Sequence, residues 1–134
     1  MSADKTANIN LGAIQKLDRI QVQGETDLVV ELIDSLLLTS PPKIVKIESF
    51  IAEKNLVGLK KEAHNLKSSM AAMGALSVST LCEDIEYFDE SRSFEQLQKL
   101  GHELKKIYLA TEKDFLSLRM ARTQTPMGCS KPSK

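Results

Sequence analysis

The chain has no tryptophan, only four phenylalanines and two tyrosines in 134 residues, so its core has to be built from Leu, Ile, Val and Met rather than from stacked rings. It has two cysteines, Cys82 and Cys129. They are too few for a secreted disulfide framework, and with His64 and His102 they show no metal-ligand spacing, so neither a cofactor nor a metal site is expected. A reducing, cytoplasmic setting fits this cysteine usage. The four prolines fall at positions 41, 42, 126 and 132, the glycines number six, and sustained β-branched alternation is missing, which excludes a strand-rich fold. No apolar run is long enough to span a bilayer, and MSADKTANIN at the N-terminus lacks the apolar stretch of a signal peptide. Excess charge is missing too. Eighteen basic and eighteen acidic residues cancel, leaving no global field toward nucleic acid or an anionic membrane. Lys105-Lys106 and the arginines at 119 and 122 read as solvated charge without the interleaved aromatics of a nucleic-acid site.

What is present is helical periodicity from end to end. Asn10 is placed to cap a short helix carrying Leu11, Ile14 and Leu17, with Gly24 beyond its end. A second helix is predicted from Thr26 to Leu38, with Asp27 near its N-terminal dipole. Ser40-Pro41-Pro42 predicts a stop there and a new start, since serine caps and proline is tolerated at a first helical position; Ile44, Ile47 and Ile51 then follow up to Asn55. Leu56, Leu59, Ala63, Leu66, Met70 and Met73 form a narrow stripe on the next helix, and Gly74 suits the turn after it. Ser77 is predicted to cap a helix burying Val78, Leu81, Cys82, Ile85 and Phe88. Ser93 and Gln96, spaced as a capping box, open the longest helix, which runs to about Leu118. The expected fold class is therefore all-α, an up-down antiparallel four-helix bundle with additional short N-terminal helices. It should occupy residues 10–119, between a flexible N-terminus (1–9) and a disordered C-terminal tail (120–134). Which of the segments flanking the prolines belongs to the bundle stays open at this level.

One residue on the fourth predicted segment stands apart. Averaging the apolar stripe at about 100° per residue puts His64 roughly 130° from its centre, facing outward. Lys60, Lys61, Lys67, Ser68 and Ala71 are its helical neighbours, with Ala72 beside them. The lysines suit a phosphoryl group carrying nearly two negative charges, and the small side chains leave room for another protein's backbone. A neutral imidazole with one nitrogen uncovered is a nucleophile. The following hairpin turns near Ala75, which sets Glu86 about level with His64; a carboxylate there could accept the second ring N–H and orient the ring. A solvated surface histidine remains the alternative on these residues alone, and His102 has no comparable setting.

The stretch AHNLKSSMAAMGALSVSTLCEDIE, Ala63 to Glu86, resembles the signature of histidine-containing phosphotransfer (HPt) domains, with Ala63, His64, Leu66, Lys67, Ser69, Met73, Gly74, Ala75, Leu81, Cys82 and Glu86 in matching order and spacing. The resemblance implies that His64 is the phosphorylated residue. It would accept a phosphoryl group from a receiver-domain aspartate and pass it to another, with Lys67 near the phosphoryl group and Mg²⁺ supplied by the receiver. Implied partners are the receiver domains of response regulators and of a hybrid sensor kinase. Ser68 departs from the family's usual glycine one turn after the histidine.

Nothing in the sequence supplies a glycine-rich phosphate loop, so the expectation is a phosphorelay carrier without kinase activity of its own, freestanding, monomeric and in contact with neither nucleic acid nor membrane. Two other classes compete. A non-catalytic helical module could bind and sequester a receiver, and a dimeric phosphotransferase could build its four-helix bundle from two hairpins.

Overall fold

A computed structural model describes residues 8–123. Five helices account for most of them: α1 (Leu11–Arg19), α2 (Leu28–Glu53), α3 (Leu56–Ala72), α4 (Leu76–Glu86) and α5 (Phe94–Thr123). No strand occurs among the described residues. The helices α2, α3, α4 and α5 pack each on the next, and α5 closes back on α2, so the four form a ring around one apolar core. Short connections force neighbouring helices to run antiparallel. α1 lies outside the ring against α2.

Local chemistry explains most helix ends. The Asn10 side chain accepts from the Gly12 amide, Asp27 from the Val29 and Val30 amides, and Asn55 from the Gly58 amide. Ser93 and Gln96 cap each other's backbone amides at 3.2 and 3.0 Å, the reciprocal pair expected from their spacing. α4 differs from expectation. It begins at Leu76 after Ala75 with no side-chain cap, one residue before the predicted cap at Ser77. The Met70 carbonyl accepts from Ala75 N–H across this turn, a backbone bond that closes the C-terminal end of α3.

The larger correction concerns the prolines. Pro41 and Pro42 lie inside α2, and the two helices predicted on either side of them are one 26-residue element. Each proline removes an N–H and crowds the preceding turn. The buried stripe nevertheless continues through them as Ile33, Leu36, Ser40, Ile44, Ile47 and Ile51, spaced for one unbroken helix face. Burial of both halves in the same core outweighs the local defect. The question of which half joins the bundle is thereby answered, since both do.

The ends also differ from the predicted bounds. Asn8 donates from its backbone N and its side-chain Nδ2 to Asp114 Oδ2 at 2.9 and 2.8 Å, Ile9 is buried, and α5 continues four residues past Arg119. The remainder of the predicted flexible N-terminus and disordered tail, residues 1–7 and 124–134, lies outside the described residues. Asn10 N–H donates to the Gly74 carbonyl at 2.7 Å, tying the start of α1 to the α3–α4 turn. Gly74 has φ 78°, and a Cβ there would fall 2.6 Å from the Asn10 carbonyl oxygen, so glycine is required twice over.

Candidate functional site

The site begins with how α3 is turned. Leu59, Ala63, Leu66 and Met70 are buried against the core, and this fixes His64 on the outer side, its side chain 57% exposed. α4 is turned by Val78, Cys82 and Ile85, which leaves Glu86 at the α3–α4 seam. The three-residue turn Met73–Ala75 sets the register between the two helices, and His64 and Glu86 come level as the count from the turn predicted.

Glu86 holds two partners with separate oxygens. Oε2 is 2.8 Å from His64 Nδ1, and Oε1 accepts from Lys67 Nζ at 2.6 Å. The Lys67 ammonium also lies 5.5 Å from the centroid of the Tyr87 ring. The Lys67 hydrogen bond, followed by that of His64, draws the Glu86 carboxyl below its ordinary range against the opposing effect of burial. The Glu86 hydrogen bond likewise raises Lys67. Both therefore stay ionised at neutral pH. An ionised carboxylate can only accept, so the bond at 2.8 Å places a proton on Nδ1. In a neutral ring that leaves the lone pair on Nε2.

The other predicted residues are distributed around this trio. Lys61, Ser68, Ala71 and Ala72 are exposed, and Lys60 is half-buried. Ser68 Oγ turns back onto the His64 carbonyl at 3.3 Å, so its hydroxyl is folded along the helix rather than projecting. Beneath the site, Cys82 is fully buried and burial pushes its thiol up to about 12, which marks a packing residue rather than a reactive one. Tyr87, exposed beside Lys67, was not anticipated from the sequence, because no spacing rule pairs a helix-ending tyrosine with a lysine twenty residues earlier. Among the described residues no group of three or more His, Cys, Asp or Glu side chains is placed to hold a metal ion. No helix among them is long and apolar enough to cross a membrane.

The site is thus a half-exposed imidazole fixed through Nδ1 by a carboxylate, with an ammonium alongside. The family model for the Hpt domain matches residues 31–118. The chain belongs to the Hpt domain family. The phosphorelay intermediate protein YPD1 of Candida albicans (strain SC5314 / ATCC MYA-2876) is 36% identical over 53 residues, which cover 40% of this chain and 29% of that protein. The match thus spans less than a third of the relative's length. No solved structure matches the chain. The all-helical ring is thus the Hpt domain of this chain.

Proposed function

We propose that this Hpt domain carries a phosphoryl group on His64 Nε2, taking it from the phosphoaspartate of one receiver domain and giving it to the aspartate of another. The observation that supports this reading most directly is the Nδ1 bond to Glu86 on an otherwise exposed ring. With the Nδ1 proton held there, the Nε2 lone pair attacks phosphorus, the bond from phosphorus to the aspartyl oxygen breaks, and the receiver keeps the electron pair as a free carboxylate. The ring becomes an N-phosphorylated imidazolium, and the Glu86 carboxylate faces its new positive charge. No proton moves. The reverse step regenerates the neutral ring and an acyl phosphate.

Lys67 has three N–H donors and uses one on Glu86. The others are free to meet a phosphoryl oxygen beside His64. Lys60 and Lys61 add positive potential, while Ser68, Ala71 and Ala72 provide a low surface over which a receiver backbone can approach. The acidic pocket and Mg²⁺ belong to the receiver in this scheme, and the Hpt chain works as a monomeric cytoplasmic carrier with no nucleotide of its own. Serine rather than glycine at 68 leaves docking intact, because its hydroxyl lies along the helix.

The test is label transfer from a ³²P-phosphorylated receiver domain. The wild-type chain should acquire acid-labile, alkali-stable label, as phosphohistidine does, and His64→Gln should acquire none. Label retained by His64→Gln refutes the assignment. Stable binding of receivers by the wild-type chain with no label transferred would instead identify a sequestering module.

A further inference from the structure

Two turns along α3 from His64, on the same helix face, the surface opens into a groove of roughly 420 Å³ between α1 and the α3–α4 turn, lined by Gly12, Gln15, Lys16, Arg19, Ala71 and Gly74. Gly12, Lys16 and Arg19 are spaced i, i+4 and i+7 and so share one side of α1. The wall is mounted firmly. Ile14 is buried, Asn10 is bonded to Gly74, and Asp18 is bound by Arg122 Nη2 at 2.6 Å. That last bond matters for charge, because Asp18 is the only acidic residue on α1. With Asp18 engaged by α5, Lys16 and Arg19 have no ion-pair partner among the described residues. α1 therefore presents two uncompensated cations above a floor that includes the exposed methyl of Ala71.

His64 and Ala71 are seven residues apart, roughly 10 Å along the helix axis. A standard protein interface covers about 800 Å² on each partner, a patch about 30 Å across. A receiver centred on His64 therefore reaches the groove. Across the α3–α4 seam the sign changes, since α4 carries Glu83 and Asp84 and no basic residue, Glu86 being paired with Lys67. Such a split orients an approaching charged partner as well as attracting it.

We propose that the groove under α1 is a second contact region for the receiver, and that Lys16 and Arg19 select receivers bearing an acidic helix or loop beside the phosphoaspartate. The proposal rests on the phosphotransfer reading above and adds a specificity determinant to it. The groove's neutral floor and its paired, fixed wall favour an inserted protein segment whose acidic side chains meet two cations at a set spacing.

The experiment compares the wild-type chain with K16E/R19E and K16R/R19K. Each is incubated with the receiver domains of the source organism, phosphorylated on aspartate with acetyl phosphate, and the initial rate of transfer to His64 is read relative to labelling by phosphoramidate, a donor too small to dock. At about 50 mM salt, charge reversal should slow transfer at least ~10-fold from the receivers that label the wild type. The difference should shrink at about 1 M salt, where the screening length falls to about 3 Å, and K16R/R19K should behave as wild type. Equal normalised rates for K16E/R19E and wild type would overturn the proposal while leaving the phosphotransfer reading intact. So would a loss that salt does not diminish and that K16R/R19K shares, since it would report shape rather than charge. A wild-type chain labelled by phosphoramidate but by no receiver would sink the underlying reading, and this proposal with it.

Discussion

At the scale of single residues, Glu86 links the chemistry to the fold. Its two oxygens serve different partners, so shortening it removes the ring's orienting acceptor and the lysine's counter-charge together. Glu86→Ala should slow phosphoryl transfer to His64 by about 10–100-fold, while Glu86→Gln, which keeps an acceptor oxygen, should lose less; initial rates of label transfer check both. The pairing of His64 with Glu86 was legible because a three-residue turn fixes the register of the hairpin and eleven residues on each side then come level. The extent of Lys67's engagement was not legible, since a lysine's reach leaves several partners open and only packing selects among them.

Cys82 supplies a pH prediction at the same scale. Burial raises its thiol to about 12 from an ordinary value of 9.0. Between these values the unfolded chain releases a proton that the folded chain retains, so the contribution is complete below pH 9 and is lost as pH rises toward 12. Stability should fall there by up to about 1.4 kcal/mol per pH unit from this group. Urea titrations at pH 9 and 11 should show a smaller alkaline loss for Cys82→Ala than for wild type.

At the scale of elements, α2 shows where local rules yield to packing. Ser40-Pro41-Pro42 carries every local mark of a helix boundary, yet the apolar spacing on either side is in phase, and both halves share one core. The phase was present in the sequence, but the proline rule concealed it. Pro42 is exposed, so replacing it leaves no cavity, restores an N–H donor toward the Leu38 carbonyl and relieves the ring's crowding. Pro42→Ala should stabilise the protein by about 1–3 kcal/mol, seen as a higher urea midpoint with an unchanged slope. The missed start of α4 has a similar origin: the turn through Gly74, tied to Asn10, brings the chain into helix at Leu76, and the serine one residue later falls inside the first turn.

At the scale of the whole molecule, a net charge of zero conceals a sorted surface, with cations on α1 and α3 and carboxylates on α4. The neutral total was readable from composition. The sorting depends on Asp18 being taken up by a residue 104 positions away, which no linear pattern announces. Arg122 joins three elements through Asp18 and Asp27. Burial alone would raise the Asp27 carboxyl, but the Arg122 bond and charge and the Val30 and Val29 amides outweigh it, and the net shift is downward. A lowered carboxyl stabilises the fold above its ordinary 3.8 and ceases to do so as pH falls through the folded-state value. Arg122→Ala should therefore cost about 1–2 kcal/mol near neutrality and move acid unfolding to higher pH, followed by far-ultraviolet circular dichroism.

The bonds from Asn8 to Asp114 and from Asp18 to Arg122 have a bearing on birth at the ribosome. Once α1 to α4 have emerged, α2 and the Gly74 carbonyl can already hold α1, but the ring still has a gap and the partners of Asn8 and Asp18 on α5 are missing. Completion waits for the thirty residues of α5 to clear the exit tunnel, and until then Asp18 has no Arg122 to take it up and offsets the positive charge beside the groove.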